Sequence, residues 1–330
     1  MKVIKNCAEF GIELVLSVPY AYWLHERGQL QKVITSKGMK PFYYFCEDVD
    51  ESFLQRTIDN KAAGLFDLPN NWTHHNALAL TGKDYSELTE EEQSKVNGVL
   101  DYSKWKLPPY KEHFKNQEFN FGKTIMILNK YNIEHGHKPF GFFDFECLVE
   151  MFNYLTDKGY TIIYKRPTNQ EKGVTIDNNE IGSVQNNLDL KADVEGVGVI
   201  NDHELTKYFK NVILFDDIVK QNKHYSYNEV QLKVMANVDG FISQCGGNTI
   251  LACCWGVPVL CYVTQGKEFR PNYFSNDSYW YKLSDAKVIP IFDFMVNVPG
   301  NDEKNNFGHK LNKTGKNDYS ELLIKMKEEF

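Results

Sequence analysis

The segment Phe241-Ile242-Ser243-Gln244-Cys245-Gly246-Gly247-Asn248-Thr249-Ile250-Leu251-Ala252 is the part of this sequence best suited to holding an anion. A strand-forming run leads into two glycines. Asn248 or Thr249 then caps a short helix, which Gly256 stops before another strand-like run. Glycine lets backbone approach a ligand with no side chain in the way. The N–H groups at a helix start, with the helix dipole, favour negative charge. A diphosphate seated there would meet backbone donors and the Thr249 hydroxyl. The motif is neither the dinucleotide fingerprint G-x-G-x-x-G nor the phosphate loop ending in Lys-Ser/Thr, and a tight turn that binds nothing has the same sequence. Two neighbours favour the anion. The next strand runs into the polar loop Gln265–Pro271, at the carboxyl edge where open α/β sheets bind ligands. Tyr164-Lys165-Arg166-Pro167 puts two cations at the end of another strand of the same predicted sheet. Arg166 suits bidentate phosphate contact, with a surface salt bridge as its alternative use.

The elements that must position these residues alternate. Val3-Ile4 is a short strand candidate. Apolar positions recur at helical spacing from Ile12 to Gly28, with Pro19 expected to kink or divide the helix. Pro41–Phe45 is rich in β-formers and predicts a strand. Residues 70–116 are polar, include His74 and His75, and contain an exposed acidic helix near Ser86–Lys95. An inter-domain linker is expected around Trp105, Pro108-Pro109 and the Lys/Asn stretch to Asn120. Strands are then predicted at Thr124–Leu128, Tyr160–Tyr164, Val212–Phe215, Gly240–Ser243 and Val257–Val263. Helices are predicted at Phe145–Leu155, Asn228–Ala236 and Tyr319–Phe330. This alternation indicates a parallel, helix-covered sheet. Gly173–Asp202 reads as a long loop. The expected organisation is a domain over 1–118, a second over 119–300, and a C-terminal tail and helix over 301–330.

The chain has 330 residues, 42% hydrophobic and 25% charged, as in soluble globular proteins, and a net charge of −7. That charge argues against a nucleic-acid partner. Arginine is confined to Arg27, Arg56, Arg166 and Arg270. The 7 cysteines lack the paired spacing of a zinc site and read as small core residues in a reducing compartment. No leader or membrane-spanning run is visible, so a cytoplasmic protein is the expectation, with peripheral membrane contact left open.

Ser243-Gln244-Cys245-Gly246-Gly247-Asn248, followed by Trp255-Gly256-Val257-Pro258-Val259, resembles the nucleotide-sugar domain of GT-B glycosyltransferases. Asn129-Lys130-Tyr131-Asn132-Ile133-Glu134 is similar to their interdomain-cleft loop, and Ala8–Leu14 to the first loop of their acceptor domain. The resemblance implies an α/β protein of two Rossmann-like domains facing a central cleft. It also implies a nucleotide-sugar donor as co-substrate, a glycan or other hydroxyl acceptor, no separate cofactor and no obligatory metal. The nearest approaches to a metal-binding Asp-x-Asp are Asp216-Asp217 and Asp48-Val49-Asp50. It selects Glu9, and secondarily Glu13, as the base that deprotonates the acceptor. His74 and His75 are a second option. Lys130 and Arg166 would stabilise the diphosphate, Glu268 would hold sugar or ribose hydroxyls, and Gln244, Gly246, Gly247, Asn248 and Thr249 would form the donor turn. A sugar-nucleotide 2-epimerase and a non-catalytic sugar-nucleotide module remain alternatives. A dehydrogenase is disfavoured because no G-x-G-x-x-G follows the first strand.

Overall fold

A computed structural model describes residues 1–57, 62–69, 87–89, 91–92, 102–134, 139–167, 185–264, 274, 278–283, 285–292 and 311–330. The chain is an α/β protein of two compact units. Unit 1 comprises Met1–Pro109, Asp177–Ile181 and Pro271–Ser284; unit 2 comprises Tyr110–Ile176, Gly182–Arg270 and Asp285–Phe330. The first change from one unit to the other falls between Pro109 and Tyr110.

In unit 1, β1 (Lys2–Lys5), β2 (Leu30–Ser36) and β3 (Val49–Phe53) form a parallel sheet in that order. The crossover from β1 to β2 is helical but divided, as Pro19 requires. It runs as α1 (Phe10–Ile12), a π-helical turn (Glu13–Ser17) and α2 (Val18–His25), with Pro19 in the first turn of α2. Trp105 Nε1 donates to the Val15 carbonyl inside the wide turn at 2.7 Å. Pro41–Phe45 is not a strand. Lys40–Tyr43 is a 3₁₀ turn that buries Phe42 and Tyr43. Pro41 presets the turn, and the aromatic residues serve burial rather than pleating.

In unit 2, six strands form one parallel sheet: β4 (Thr124–Leu128), β6 (Thr161–Lys165), β10 (Val212–Leu214), β11 (Gly240–Gln244), β12 (Val259–Val263) and β13 (Val288–Phe292). Two antiparallel pairs lie outside it, β5 (Asn132–Glu134) with β7 (Gln185–Asn187) and β8 (Lys191–Val194) with β9 (Gly198–Asn201). The order across the sheet is β10-β6-β4-β11-β12-β13. Counted along the chain within the sheet, this is 3-2-1-4-5-6, the doubly wound dinucleotide-binding order. β4, β11 and β12 are buried at every position, as strands covered on both faces must be. β13 is an edge strand and tolerates Pro290, which has no N–H to give to the ladder.

Helices cover both faces. Besides α3 (Tyr110–Phe114), unit 2 contains α4 (Phe145–Asp157), started by an Asp144 cap that accepts from the Cys147 amide. α5 (Asp202–Leu205) and α7 (Tyr227–Met235) each begin with a reciprocal capping box. α6 is Phe215–Gln221, α8 is Gly247–Ala252 and α9 is Ser320–Glu329. One core joins α4 and α9 to Ile125, Ile127, Ile162, Tyr164, Ile242, Leu260 and Tyr262. α9 is therefore structural: the Phe330 ring stands where a Cβ on Gly240 would lie, 2.5 Å away.

Candidate functional site

The 3-2-1-4-5-6 order has its switch point between β4 and β11, and in doubly wound sheets ligands bind beyond the strands' carboxyl ends at that point. The residues after those two strands are Asn129-Lys130 and Cys245-Gly246-Gly247, two of the segments singled out from the sequence. Register aligns Leu128 with Ser243 on one side and with Lys165 on the other, so β4, β6 and β11 end at one level.

Asn129 ties these ends together, a role the sequence did not indicate. It is fully buried, and its Nδ2 donates to the Phe143 carbonyl and to Tyr164 Oη, both at 2.9 Å. Its Oδ1 accepts from the amides of Lys130 and Phe143 at 2.9 Å and from Gln244 Nε2 at 2.6 Å. Gln244 thus bridges the switch point and acts as a support. Gly141, at φ +61°, lets the loop after Lys130 approach Thr264; a Cβ there would stand 2.3 Å from Thr264 Oγ1.

Gly246 adopts φ 145° and ψ −164°, a conformation restricted almost entirely to glycine, and an added Cβ would meet nothing within 4 Å. Gly246, Gly247 and Asn248 are partly exposed, whereas Thr249 is buried. The Thr249 hydroxyl does not face outward as expected. It lies 2.8 Å from Ser243 Oγ and bonds the Gln244 carbonyl, fastening the turn to its strand.

The two cations at the end of β6 stand in different surroundings. Arg166 is buried, and Asp202 takes its Nε and Nη2 bidentately at 2.5 Å each. Nη1 donates to the carbonyls of Leu188, at 2.9 Å, and Pro167, at 3.3 Å. Tyr164 Oη also reaches Asp202 at 2.5 Å. Arg166 is therefore an internal anchor, with each donor nitrogen engaged. Successive strand side chains point to opposite faces, so Lys165 faces the other way. Its Nζ, 3.1 Å from Asn248 Oδ1 and also bonded to Gln231, lies 5.9 and 5.7 Å from the Phe215 and Tyr227 ring centroids. Burial pushes its ammonium down to about 8, opposed by the Asp216 carboxylate. A buried cation thus stands against the partly exposed Gly-Gly-Asn turn with neutral amide oxygens as its bonded partners.

Lys130 is half-buried, its ammonium 5.0 Å from the Phe140 ring centroid. Glu268, the Gln265–Pro271 loop, His74 and His75 lie outside the described residues. Asp216 and Asp217 open α6, while Asp48 and Asp50 pair with Lys32 at 3.4 and 3.3 Å. Six of the seven cysteines are buried, and burial raises the thiols of Cys7, Cys253 and Cys254 above the ordinary range. Among the described residues no helix is long and apolar enough to cross a membrane.

In unit 1, Glu9 is half-buried at the start of α1, on the carboxyl side of the sheet. Glu13 is fully buried. Its Oε2 accepts from Arg56 Nη1 at 2.6 Å, and its Oε1 accepts from Tyr43 Oη at 2.9 Å and from Thr35. Its carboxylate is enclosed by an arginine, a tyrosine and a threonine, so the structure gives it a structural task.

No protein-family model matches the chain, and no curated protein matches it. Among solved structures it is similar to the iron-containing dodecameric glycosyltransferase TibC from enterotoxigenic E. coli, with 13% identity over 99% of this chain and 74% of that one and a TM-score of 0.41. It is also similar to E. coli ADP-heptose LPS heptosyltransferase II, with 11% identity, 88% and 91% coverage and a TM-score of 0.41. A third is UDP-GlcNAc 2-epimerase from Neisseria meningitidis, with 12% identity, 83% and 85% coverage and a TM-score of 0.32.

Proposed function

We propose that the chain is a glycosyltransferase that holds a nucleotide-sugar by its diphosphate at the carboxyl edge of unit 2 and passes the sugar to a hydroxyl of a glycan or related acceptor, in polysaccharide or glycoconjugate synthesis. The observation that carries the reading is the doubly wound sheet whose switch point is flanked by Lys130 and the Gly246-Gly247 turn, with buried Lys165 against Asn248. Backbone N–H groups of the turn and the ammonium groups of Lys165 and Lys130 supply the donors and positive charge that a diphosphate needs.

In the transfer, the acceptor oxygen bonds to the anomeric carbon, the bond from that carbon to the diphosphate oxygen breaks, and the nucleoside diphosphate leaves with the electron pair. The acceptor proton goes to a base, for which Glu9 is the candidate. Lys165 and Lys130 offset the charge growing on the leaving group, which is how this chain would do without a metal. Glu268 remains the candidate for the sugar or ribose hydroxyls.

A thermal-shift panel of UDP-, GDP-, CMP- and dTDP-linked sugars tests the reading. One of them should raise the melting temperature, and replacing Gly247 with valine should abolish that rise while leaving the fold intact. No shift with any nucleotide, or an undiminished shift in Gly247→Val, rejects the site. Release of epimerised free sugar without transfer to an acceptor would reassign the reaction to a 2-epimerase.

A further inference from the structure

We propose that unit 1 has a site of its own for an oxyanion group, a carboxylate or a phosphate, seated on the Nε–Nη2 edge of Arg56. Arg56 is 3% exposed. Its Nη1 is committed to Glu13 Oε2 at 2.6 Å and to the Ala8 carbonyl at 2.5 Å. Its Nε and Nη2 are buried, and neither has a hydrogen-bond acceptor among the described residues.

Those two nitrogens form the side-on fork of the guanidinium, whose spacing matches two oxygens of one carboxylate or phosphate. The chain itself illustrates the fit: on Arg166, Nε and Nη2 are the atoms that grip Asp202, at 2.5 Å each. Leaving such a fork buried without acceptors is costly, so it points to a group that the protein does not supply.

Two further groups in this part of the fold lack acceptors or donors. Asn6 Nδ2 and Ser36 Oγ are buried without a hydrogen-bond partner among the described residues. Asn6 follows β1, Ser36 ends β2 and Arg56 follows β3, so all three stand at the carboxyl edge of the parallel sheet. Asn6 Oδ1 accepts from the Ala8 amide at 2.8 Å, while the Ala8 carbonyl accepts from Arg56, which links the two across one residue. Hydrogen-bond donors predominate here, and the complement is a group rich in acceptors. Glu13 neutralises the far edge of Arg56, so the site selects for bidentate oxygen geometry more than for net charge. On the reading of the chain as a transferase, the oxyanion belongs to the acceptor, and the next residue after Ala8 is the candidate base Glu9.

The test is direct because the chain has four arginines. The ¹⁵N-labelled arginine Nε–H spectrum of the full chain is titrated with inorganic phosphate and, separately, with glucuronate, at fixed ionic strength. Arg56→Lys assigns the Arg56 signal. If that variant does not fold, Arg27→Lys and Arg270→Lys leave two signals, and the Arg166 signal is the one removed by Arg166→Lys. The Arg56 signal should move saturably with one probe, which identifies the oxyanion, while that of Arg166 stays still. Ser36→Ala, which leaves the Arg56–Glu13 pair in place, should weaken the effect several-fold. An Arg56 signal that moves no more than that of Arg166 with either probe overturns the proposal. A nucleotide effect on melting with a silent Arg56 would reject this site and leave the transferase reading standing; the reverse result would do the opposite.

Discussion

Lys165 links the candidate donor site to a proton, and the size of the link follows from its burial. The ammonium falls from 10.5 to about 8, which costs the charged form about 3 kcal/mol. Below pH 8 the folded chain carries the charge and bears that whole cost. Between about pH 8 and 10.5 the unfolded chain binds the proton and the folded chain does not, so the cost fades and the fold gains stability as pH rises. A diphosphate against Nζ requires the charged form. Binding above pH 8 therefore takes up a proton. If the bound lysine returns to its ordinary value, affinity falls nearly tenfold per pH unit across this window, and about 300-fold in all. The diphosphate itself is already fully ionised there, because a terminal phosphate loses its last proton near pH 6, so the phosphates add no slope, and the comparison with Lys165→Met isolates the lysine's share. Calorimetric titration of the stabilising nucleotide from about pH 7 to 10, in two buffers of different ionisation enthalpy, yields Kd and proton uptake together. Lys165→Met should bind weakly and with no slope. A flat wild-type profile without proton uptake, or the same slope in Lys165→Met, refutes the assignment of Lys165 to the diphosphate.

Four other outcomes follow from the same geometry. Glu13→Ala leaves the Arg56 charge buried without its carboxylate and should cost about 3–5 kcal/mol in urea unfolding, whereas Glu13→Gln, which keeps an acceptor, should cost less. If Glu13→Ala lost activity at full stability, Glu13 would be catalytic instead. Arg166→Met should cost a similar amount by leaving Asp202 unpaired, and urea unfolding should show it without any nucleotide present. Gly246→Ala should destabilise by about 1–3 kcal/mol from backbone strain alone, since no atom stands near the new Cβ; an unchanged urea midpoint would show that the turn relaxes. Gly141→Ala should be destabilising through Thr264 Oγ1, and Thr264→Ala should recover part of the loss in a double-mutant cycle.

The sheet of unit 2 was largely legible because its strands are buried on both faces and read as unbroken apolar runs. Thr124–Leu128 coincides with the observed strand, and Gly240–Ser243 falls one residue short of it. Strands without that signature escaped. Leu30–Ser36 and Val49–Phe53 carry Gln31, Lys32, Asp50 and Glu51 and are only partly buried. Val288–Phe292 contains Pro290, which is acceptable only because the strand is an edge. Pro41–Phe45 misled in the other direction, since aromatic β-formers mark burial as much as strand. The segment that opens with Asn129 was singled out from sequence, but its tying role was not, because its partners Phe143, Tyr164 and Gln244 are brought to it by the sheet order.

The division of labour between Lys165 and Arg166 shows why residue type alone ranks a site poorly. Arginine is the better phosphate ligand on chemical grounds, and its rarity in this chain gives Arg166 added weight. The fold decides otherwise through parity. Tyr164 and Arg166 share one face of the strand, and both reach Asp202, thirty-six residues on from Arg166 in the chain. Lys165 alone takes the face that carries Gln231 and Asn248. A planar fork is met by a fixed carboxylate and becomes an anchor. The flexible ammonium, held by neutral oxygens, keeps a charge that a ligand can use. The same contrast separates Arg166 from Arg56: the Nε–Nη2 fork that makes the first structural has, on the second, no hydrogen-bond acceptor among the described residues. In both units, then, the residue to test is a buried cation at the carboxyl end of a parallel sheet, Lys165 in one and Arg56 in the other.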